Sequence, residues 1–548
     1  MEKRVFVAVL ISIGVLALWA IVAPKLFPDL AKKPAVTSTS PKTQTAKPAA
    51  ATTAGTTAPA AAPAPATPAA PPAPVQPISA QSITVSQIET PDYIARFSNR
   101  GAELVSFRLK HYKAKDGSLV ELVKGREASR TDFPFAVESS DPAVSVRLNT
   151  ALYAVTDTIH NGAGTLEYRY AGGGVAATKI YRFTGDYLFH FAVNVTPAVP
   201  YRVVTGPGIR TLDPDEAESR FTISGNGVAQ IDDSLKVISR EKAPKFSVFD
   251  SPQFVGLADN YFLSVFRPEQ SAGGILRAVD FGTGKQKRRE LYAGLNAIPD
   301  GTVSGTAFFG PKETALVDRY GLERTMQLGM FGIIARFFLI LLNWINRFTH
   351  NYGFAIIILT ILIKVALYPL QHKWMMSMKK MQKAQPKMES IKAKYRKHKG
   401  DPDQRQKMNQ EMMKLYQQEG INPAGGCLPM LIQFPIFLGF YELLERAIEL
   451  RGAPFLFWIH DLSAKDPTYI LPILMTIAMF VQQWITPSSA DPSQRRMFLI
   501  MPIVFGWIFK EFPSGLTLYW LVQNILTILQ QMIMNKYYKD HPTELKAS

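Results

Sequence analysis

Lys364 is the residue whose type and position most directly suggest a function. It follows the run 356–363, which is apolar apart from Thr360, and lies about nine residues, or ~13 Å of helix, before Lys373. A charge near the middle of a membrane costs from ~2.5 to well over 10 kcal/mol, so such a residue usually faces water or a partner. Snorkelling of the lysine stem towards the headgroups is the alternative, and the depth favours a wet internal cavity.

The other polar residues of the apolar segments are mostly amides. Thr360 lies one helical turn before Lys364, and Gln523 and Thr527 share one face of the last segment. The rest of the set comprises Gln433, Gln482, Gln483, Asn524, Gln530 and Gln531. Such amides commonly form hydrogen bonds between helices, but their gathering around one cation favours a hydrated groove.

Several other chemistries are not supported by the sequence. It has no zinc-ligand spacing, no Walker-type loop and no pattern of an RNA-binding module. The single cysteine, Cys427, excludes an intramolecular disulfide. We therefore predict no catalytic residues, no cofactor and no metal. The net charge of +17 is expected to reflect the cytoplasmic face of a membrane protein rather than binding to DNA.

The N-terminal part predicts an anchor and a tether. Residues 1–24 read as a transmembrane anchor, because the apolar run from Val5 to Ala23 would span ~28 Å as a helix. A cleaved signal peptide is the alternative, and Pro24 argues against it. Residues 25–80 are rich in Pro, Ala and Thr and cannot bury enough apolar area to fold, which predicts a disordered periplasmic linker.

Residues 81–320 have the pattern of a soluble β domain. Apolar and polar residues alternate in 166–170 and in 179–183, and a Gly185-Asp186 turn leads into another strand at 187–193. Glycine-rich breaks recur between strands, and helical periodicity is scarce. An all-β antiparallel sandwich is the expected fold.

Residues 321–350 predict an amphipathic helix lying in the membrane interface. Arg336, Asn343 and Arg347 fall on one face. The opposite face is an apolar stripe of Phe331, Ile334, Phe338, Leu341, Ile345 and Phe348. This division favours a helix that lies on the membrane over one that crosses it.

Residues 351–534 predict a multi-spanning α-helical core of five helices, which makes six transmembrane helices with the anchor. The expected crossings are 353–371, 427–447, 469–486, 498–512 and 516–534. The fourth, at ~22 Å, would need local thinning of the bilayer or shelter by neighbours. The loop 372–426 is strongly basic, and the positive-inside rule places it in the cytoplasm. Both termini, including the tail 535–548, are then cytoplasmic and the β domain periplasmic.

The basic loop is expected to fold as a helical hairpin. Met388 and Tyr395 recur at helical spacing, as do Met408 and Leu415, and the sequence breaks at residues 399–402. Methionine-rich faces adapt to varied apolar partners, but they could equally close the hairpin against itself or the bilayer. The basic face could attract membrane lipids or ribosomal RNA.

Five short motifs resemble, in order and spacing, those of the YidC membrane protein insertases of Gram-negative bacteria. They are Thr360 to Lys364 with Tyr368-Pro369-Leu370, Asn422 to Pro429, Gln433 to Phe437, Trp458 to Leu462, and Phe512 to Leu516. The agreement covers about residues 320–534, and the tether and β domain follow the family's layout.

The resemblance implies a membrane protein insertase and chaperone of the bacterial inner membrane, acting alone or with the Sec translocon. The family's groove is open to the cytoplasm and to lipid, and carries a positive residue, usually arginine and here Lys364, that receives the hydrophilic segment of an inserting protein. Gln433 and a set of aromatic residues would line the substrate slide: Phe434, Phe437, Tyr519 and Trp520.

The implied partners are nascent inner-membrane proteins, components of the Sec translocon and, through the basic hairpin and tail, the ribosome. The β domain resembles the family's super-sandwich, which is similar to sugar epimerases, and would serve as an interaction module.

Two other functions are conceivable for such a chain. A solute transporter could use Lys364 as an anion site, but the apolar segments lack central carboxylates and an internal repeat. A membrane-tethered carbohydrate enzyme could use His111, His160 or His190, but none of these is clustered with carboxylates in a motif.

Overall fold

The computed structural model describes residues 77–124, 133–212, 216, 223–282, 288–299, 301–395, 401–420, 428–486 and 492–540. In helices, the side chains of 428–431, 492–499 and 538–540 are outside that description. The described residues form two compact units, a β unit up to Gly310 and a helical unit from Pro311 onwards. The predicted anchor, nearly all of the predicted linker and the motif residues 422–427 lie outside the described residues.

The β unit contains eighteen described strands in three sheets. Their bounds are β1 Val85–Glu89, β2 Tyr93–Ser98, β3 Glu103–Lys113, β4 Leu119–Glu121, β5 Ala136–Ser139, β6 Ala154–Asp157, β7 Ala163–Gly172, β8 Val175–Thr184, β9 Leu188–Thr196, β10 Tyr201–Thr205, β11 Asn226–Ile231, β12 Ser234–Ile238, β13 Phe246–Phe249, β14 Phe254–Ala258, β15 Phe262–Pro268, β16 Gly274–Phe281, β17 Arg288–Asn296 and β18 Thr302–Pro311. The sheet orders are β1-β2-β3-β4, β13-β16-β17-β10-β5 and β12-β11-β14-β15-β18-β9-β8-β7-β6.

Alternating burial explains the strands that the sequence predicted. In β7, Leu166 and Tyr168 are fully buried, whereas Arg169 of the same strand is exposed. β8 and β9 form the predicted hairpin, with Gly185 at a φ of +92° in the turn. The strands β7, β8 and β9 pair in antiparallel fashion, as predicted.

One inward position of β8 holds a charge. Lys179 is completely buried, and its Nζ donates to the carbonyl oxygens of Gly101 at 2.6 Å and Phe135 at 2.8 Å. Burial lowers the pKa of Lys179 to about 8, because the ammonium is removed from water. The structure also adds one helix that the sequence did not predict, α1 (Pro142–Thr150), which begins at the capping residue Asp141.

The helical unit begins with the short α2 (Thr314–Arg319) and continues with seven longer helices among the described residues. These are α3 Gly332–Thr349, α4 Tyr352–Lys394, α5 Pro402–Gln418, α6 Leu428–Arg446, α7 Ile470–Ile485, α8 Pro492–Phe509 and α9 Ser514–Asp540. In the described part of the chain, α3 and α4 are long and apolar enough to cross a membrane, and Ile470–Ile485 and Ile500–Phe509 are shorter apolar helices.

α3 has two apolar faces rather than the single stripe that the sequence predicted. Phe338 and Ile345 are buried, as expected, and Leu342 joins them. Phe348, which the sequence assigned to the same stripe, is instead 71% exposed, and Trp344 is exposed as well. α3 is also long and apolar enough to cross a membrane, so its position in the membrane interface stays a prediction.

α4 is 43 residues long and does not end at the predicted limit of 371. Its last part packs against α5, and Ala384, Met388 and Leu415 form a small buried cluster between them. Asp401 caps α5 by accepting a hydrogen bond from the backbone of Asp403. Several of the hairpin's methionines therefore close the hairpin against itself.

The last two helices differ from their predicted bounds. α8 begins at Pro492 and ends at Phe509, so it is longer than the predicted span 498–512 but finishes earlier. α9 continues to Asp540, and the predicted tail therefore begins as helix. A shared apolar core, which includes Leu339, Leu359, Leu443 and Tyr519, holds the helical unit together.

Candidate functional site: a polar cavity with one cation

α4 places Lys364 inside the helical unit. Asn351 starts this helix by accepting hydrogen bonds from the backbone of Gly353 and Phe354. The residues Ile356 and Leu359 are fully buried and fix the rotation of the helix. Lys364 is 9% exposed, and its Nζ donates to Thr527 Oγ1 of α9 at 2.8 Å. The side chain therefore points at a neighbouring helix, as the internal-cavity interpretation requires.

A chain of hydrogen bonds continues from Thr527 across the groove. Thr527 Oγ1 donates to the carbonyl oxygen of Gln523 at 2.7 Å, and Gln523 Nε2 donates to Gln433 Oε1 of α6 at 3.3 Å. Gln433 Nε2 in turn donates to the hydroxyl of Tyr519. Gln433 thus joins α6 to two positions of α9.

These side chains border a cavity of about 370 Å³ between α4, α6, α7, α8 and α9. Its lining consists of Lys364, Leu367, Leu370, Gln371, Trp374, Met375, Ile432, Gln433, Phe434, Phe437, Gln482, Phe505, Phe509, Trp520, Gln523, Asn524 and Thr527. Among these described residues there is one cation and no carboxylate. The remaining wall is amide, hydroxyl, aromatic or aliphatic.

Much of the polar wall has no partner within the described protein. The buried atoms Gln371 Oε1, Gln482 Oε1, Gln523 Oε1, Asn524 Nδ2 and Trp520 Nε1 make no hydrogen bond there. A buried polar atom left in that condition costs about 1–3 kcal/mol. A wall of this kind offers hydrogen-bonding groups to water or to the polar groups of a ligand.

The sequence singled out fourteen residues for the groove and the slide, and nine of them line this cavity: Lys364, Gln433, Phe434, Phe437, Gln482, Trp520, Gln523, Asn524 and Thr527. Thr360 does not; it is fully buried and its hydroxyl donates to the carbonyl of Ile356. Tyr519 does not either, because its ring is stacked on Phe440 at 4.3 Å and only its hydroxyl reaches Gln433. Gln483, Gln530 and Gln531 are not part of the lining.

Sequence reasoning missed the inner wall of α4. Leu367, Gln371 and Trp374 follow Lys364 at intervals of three and four residues, which puts them on one helical face. Trp374 was missed because the predicted span ended at 371, although the helix continues to Lys394. Leu367 and Gln371 lie within the predicted span but were not included in the predicted site. Phe505 and Phe509 of α8 show the same spacing.

Comparison with known proteins identifies the family. The family described as "60Kd inner membrane protein" matches residues 344–541, and the "YidC periplasmic domain" family matches residues 85–341. "Membrane protein insertase YidC" of Geobacter metallireducens is 36% identical over 561 residues, covering 98% of this chain and 98% of the relative. The chain belongs to the YidC membrane protein insertase family. The YidC of Geobacter sulfurreducens is 37% identical and covers 82% of this chain and 85% of that relative.

A solved structure, "Active YidC insertase crystal structure with the first transmembrane domain resolved", is 20% identical, with a TM-score of 0.37, and covers 83% of this chain and 94% of that chain.

Family membership confirms several predictions at once. The chain is a YidC-type inner-membrane protein with a β-rich periplasmic domain followed by a helical region, and it is not an enzyme. The histidines considered for a carbohydrate enzyme fit this conclusion. His111 and His190 are exposed and each contacts a single exposed carboxylate, Asp92 and Glu269 respectively, at 3.1 Å.

Proposed function

We propose that this chain inserts proteins into the inner membrane, and helps them fold there, through the cavity around Lys364. The observation that carries the proposal is an ammonium group inside the helical unit, held by one hydroxyl. It shares its cavity with amides of which several buried atoms make no hydrogen bond to the described residues. Such a cavity offers polar contacts at a depth where lipid offers none.

The cavity would lower the barrier for a hydrophilic tail. Moving a peptide group from water into hydrocarbon without a hydrogen bond costs roughly 4–8 kcal/mol, and water or amide partners in the groove would remove much of that cost. Lys364 would attract acidic or carbonyl groups of the tail. A lysine does so as a point charge, so the mechanism needs attraction but not the two-pronged pairing of an arginine.

The apolar wall would guide the rest of the client. Phe434 is 43% exposed and Phe437 and Trp520 are half-buried, so they form a surface between the cavity and the lipid side of α6 and α9. Tyr519 supports this slide from behind. Burial of the client's apolar helix in lipid, at about 25 cal/mol per Å², would drive release without a cofactor or nucleotide.

The topology and the partners extend this proposal. The positive charge of the region 372–426 supports a hairpin on the cytoplasmic side of the membrane. Both termini would then lie in the cytoplasm, and the groove would be open to the cytoplasm and to lipid. The Sec translocon is proposed as a partner in the membrane, and the ribosome as a partner of the hairpin and the tail. The basic hairpin and the tail would meet the RNA of the ribosome through their positive charge.

Insertion of a short single-span client into proteoliposomes tests the proposal. The wild-type chain would be compared with Lys364→Ala and Lys364→Arg, with protease protection of the client as the readout. We expect alanine to abolish insertion and arginine to retain it, because the charge is the required property. Lys465→Ala, at an exposed ion pair with Glu511, is the matched control and should insert normally.

Equal insertion by all of these chains would show that the Lys364 ammonium is dispensable. Loss of insertion with both Lys364→Ala and Lys364→Arg, but not with Lys465→Ala, would show that the groove requires the shape of lysine rather than its charge.

A further inference from the structure

The loop between α6 and α7 exposes an aromatic ring in a strained backbone conformation. Phe457 is 84% exposed and has a φ of +55°, in the left-handed region that residues with a Cβ avoid. A non-glycine residue in this region costs on the order of 1–3 kcal/mol and persists only where the surroundings enforce it. Neither the exposure nor the strain contributes to the cavity around Lys364.

The loop around Phe457 is held firmly. Phe455 N donates to the carbonyl of Ile459 at 3.0 Å, and Ile459 N donates to the carbonyl of Leu456 at 3.1 Å. The carbonyl of Phe455 also accepts from Asn351 Nδ2 at 3.0 Å. Ile459 is 4% exposed, so the turn is pinned to the core on one side while it projects Phe457 on the other.

Other exposed apolar residues lie at the same end of the helices. Phe354, in the first turn of α4, is exposed and contacts Phe455 edge-on at 5.4 Å. Tyr469, immediately before α7, is exposed and is followed by the exposed Ile470 and Ile473. The outer face of α7 therefore continues, as an apolar surface, to the level of the loop.

We propose that Phe457, stacked on Trp458 at 5.9 Å, is an anchor that inserts into the membrane interface at the end of the helical unit where α4 and α7 begin. Aromatic side chains concentrate at the boundary between headgroups and acyl chains. The exposed apolar surface of α7 leads directly to this loop, so lipid is the neighbour that the ring would meet in a membrane. The strain fixes the ring in a direction that an unstrained turn would not give it.

The depth of a label at position 457 tests the anchor. In full-length protein carrying Cys427→Ser, Phe457→Cys and, separately, the exposed His460→Cys of the same loop would be labelled with bimane and reconstituted into phosphatidylcholine vesicles. We expect lipid carrying a nitroxide near the headgroup to quench the label at 457 several-fold more than the label at 460, and aqueous iodide to show the reverse order. Equal iodide quenching at both positions would overturn the proposal. Protection of position 457 from both quenchers would also overturn it, because protein would then cover the ring.

Two further variants separate anchoring from folding. Phe457→Gly and Phe457→Asn tolerate a positive φ, so both should melt at the same or a higher temperature than the wild type in detergent. In vesicles, both should lose part of the stabilisation that the bilayer gives the wild-type chain. A lower melting temperature in detergent would show that the ring stabilises the protein itself, and the anchor would be rejected.

Discussion

Replacing Lys364 by methionine is expected to stabilise the helical unit and to remove its insertion activity. The two side chains have similar length, so the substitution deletes the charge with little change in volume. In the structure the ammonium is 9% exposed, its hydrogen-bond acceptor is the neutral hydroxyl of Thr527, and no described carboxylate lines the cavity. Partial removal of an ammonium from water costs several kcal/mol. One charge-assisted hydrogen bond returns about 1.5–3 kcal/mol.

We therefore expect a net gain from Lys364→Met of about 1–4 kcal/mol, the range by which apolar replacement of a buried ion pair can stabilise a protein. For a unit of 150–250 residues this corresponds to roughly 2–4 °C per kcal/mol in melting temperature. Thermal unfolding of the full chain in detergent, followed by helical circular dichroism, measures the change. The proteoliposome assay on the same preparation should show that insertion is lost.

Lys379→Met is the matched control, because it makes the same substitution on the same helix outside the cavity. Lys379 Nζ donates to the carbonyl of Met534 at 2.9 Å, and loss of this bond should lower stability by about 0.5–1.5 kcal/mol. The two lysines thus predict melting shifts of opposite sign. If Lys364→Met also melts below the wild type, the ammonium contributes net stability. The cost of removing it from water would then be smaller than the return from its hydrogen bond to Thr527, contrary to our reasoning.

Three other predictions concern the supporting structure. Gly256→Ala should lower the melting temperature of the β unit by overpacking, at a cost of about 1–3 kcal/mol, because its Cβ would overlap the carbonyl oxygen of Ser264 on the paired strand. The pKa of Lys179 is about 8 in the folded chain and 10.5 in the unfolded chain, so between these values the unfolded chain binds more protons and the stability should rise with pH. A series of melting temperatures from pH 7 to 9.5 should show this rise, and Lys179→Met should abolish it. Glu442→Ala should cost about 0.5–2 kcal/mol and speed amide exchange at Phe331, because the carboxylate accepts hydrogen bonds from the otherwise uncapped start of α3.

Each of these predictions has an outcome that contradicts it. Unchanged melting of Gly256→Ala would mean that the β14–β15 pair yields easily. The exposed Lys236 provides Lys236→Met as a control for Lys179, and an equal loss of the pH dependence in both variants would show that the buried lysine is not its source. Glu511→Ala removes an exposed ion pair, and should leave exchange at Phe331 unchanged. A similar acceleration in Glu511→Ala and Glu442→Ala would exclude a specific cap.

The local patterns of the sequence predicted much of the fold and most of the candidate site. Alternation in 166–170 and 179–183 predicted β7 and β8, since residues two apart on a strand share a face. Gln523 and Thr527 were placed on one face because they are one helical turn apart. The same reasoning predicted too short a helix for α4. The apolar run ends near 371, but the helix continues to Lys394, because its last part packs against α5.

Only the tertiary structure showed which faces of distant helices meet. Gln433 contacts Tyr519 and Gln523, about ninety residues away, and Thr360 is turned into the core although it lies one turn from Lys364. The sequence by itself determined the character of each element, because helix and strand periods are properties of neighbouring residues. The cavity, the buried amide atoms that have no partner in the described part of the chain, and the strained Phe457 depend on how whole elements pack and how loops are pinned between them. Those outcomes are sums over contacts between residues far apart in the chain.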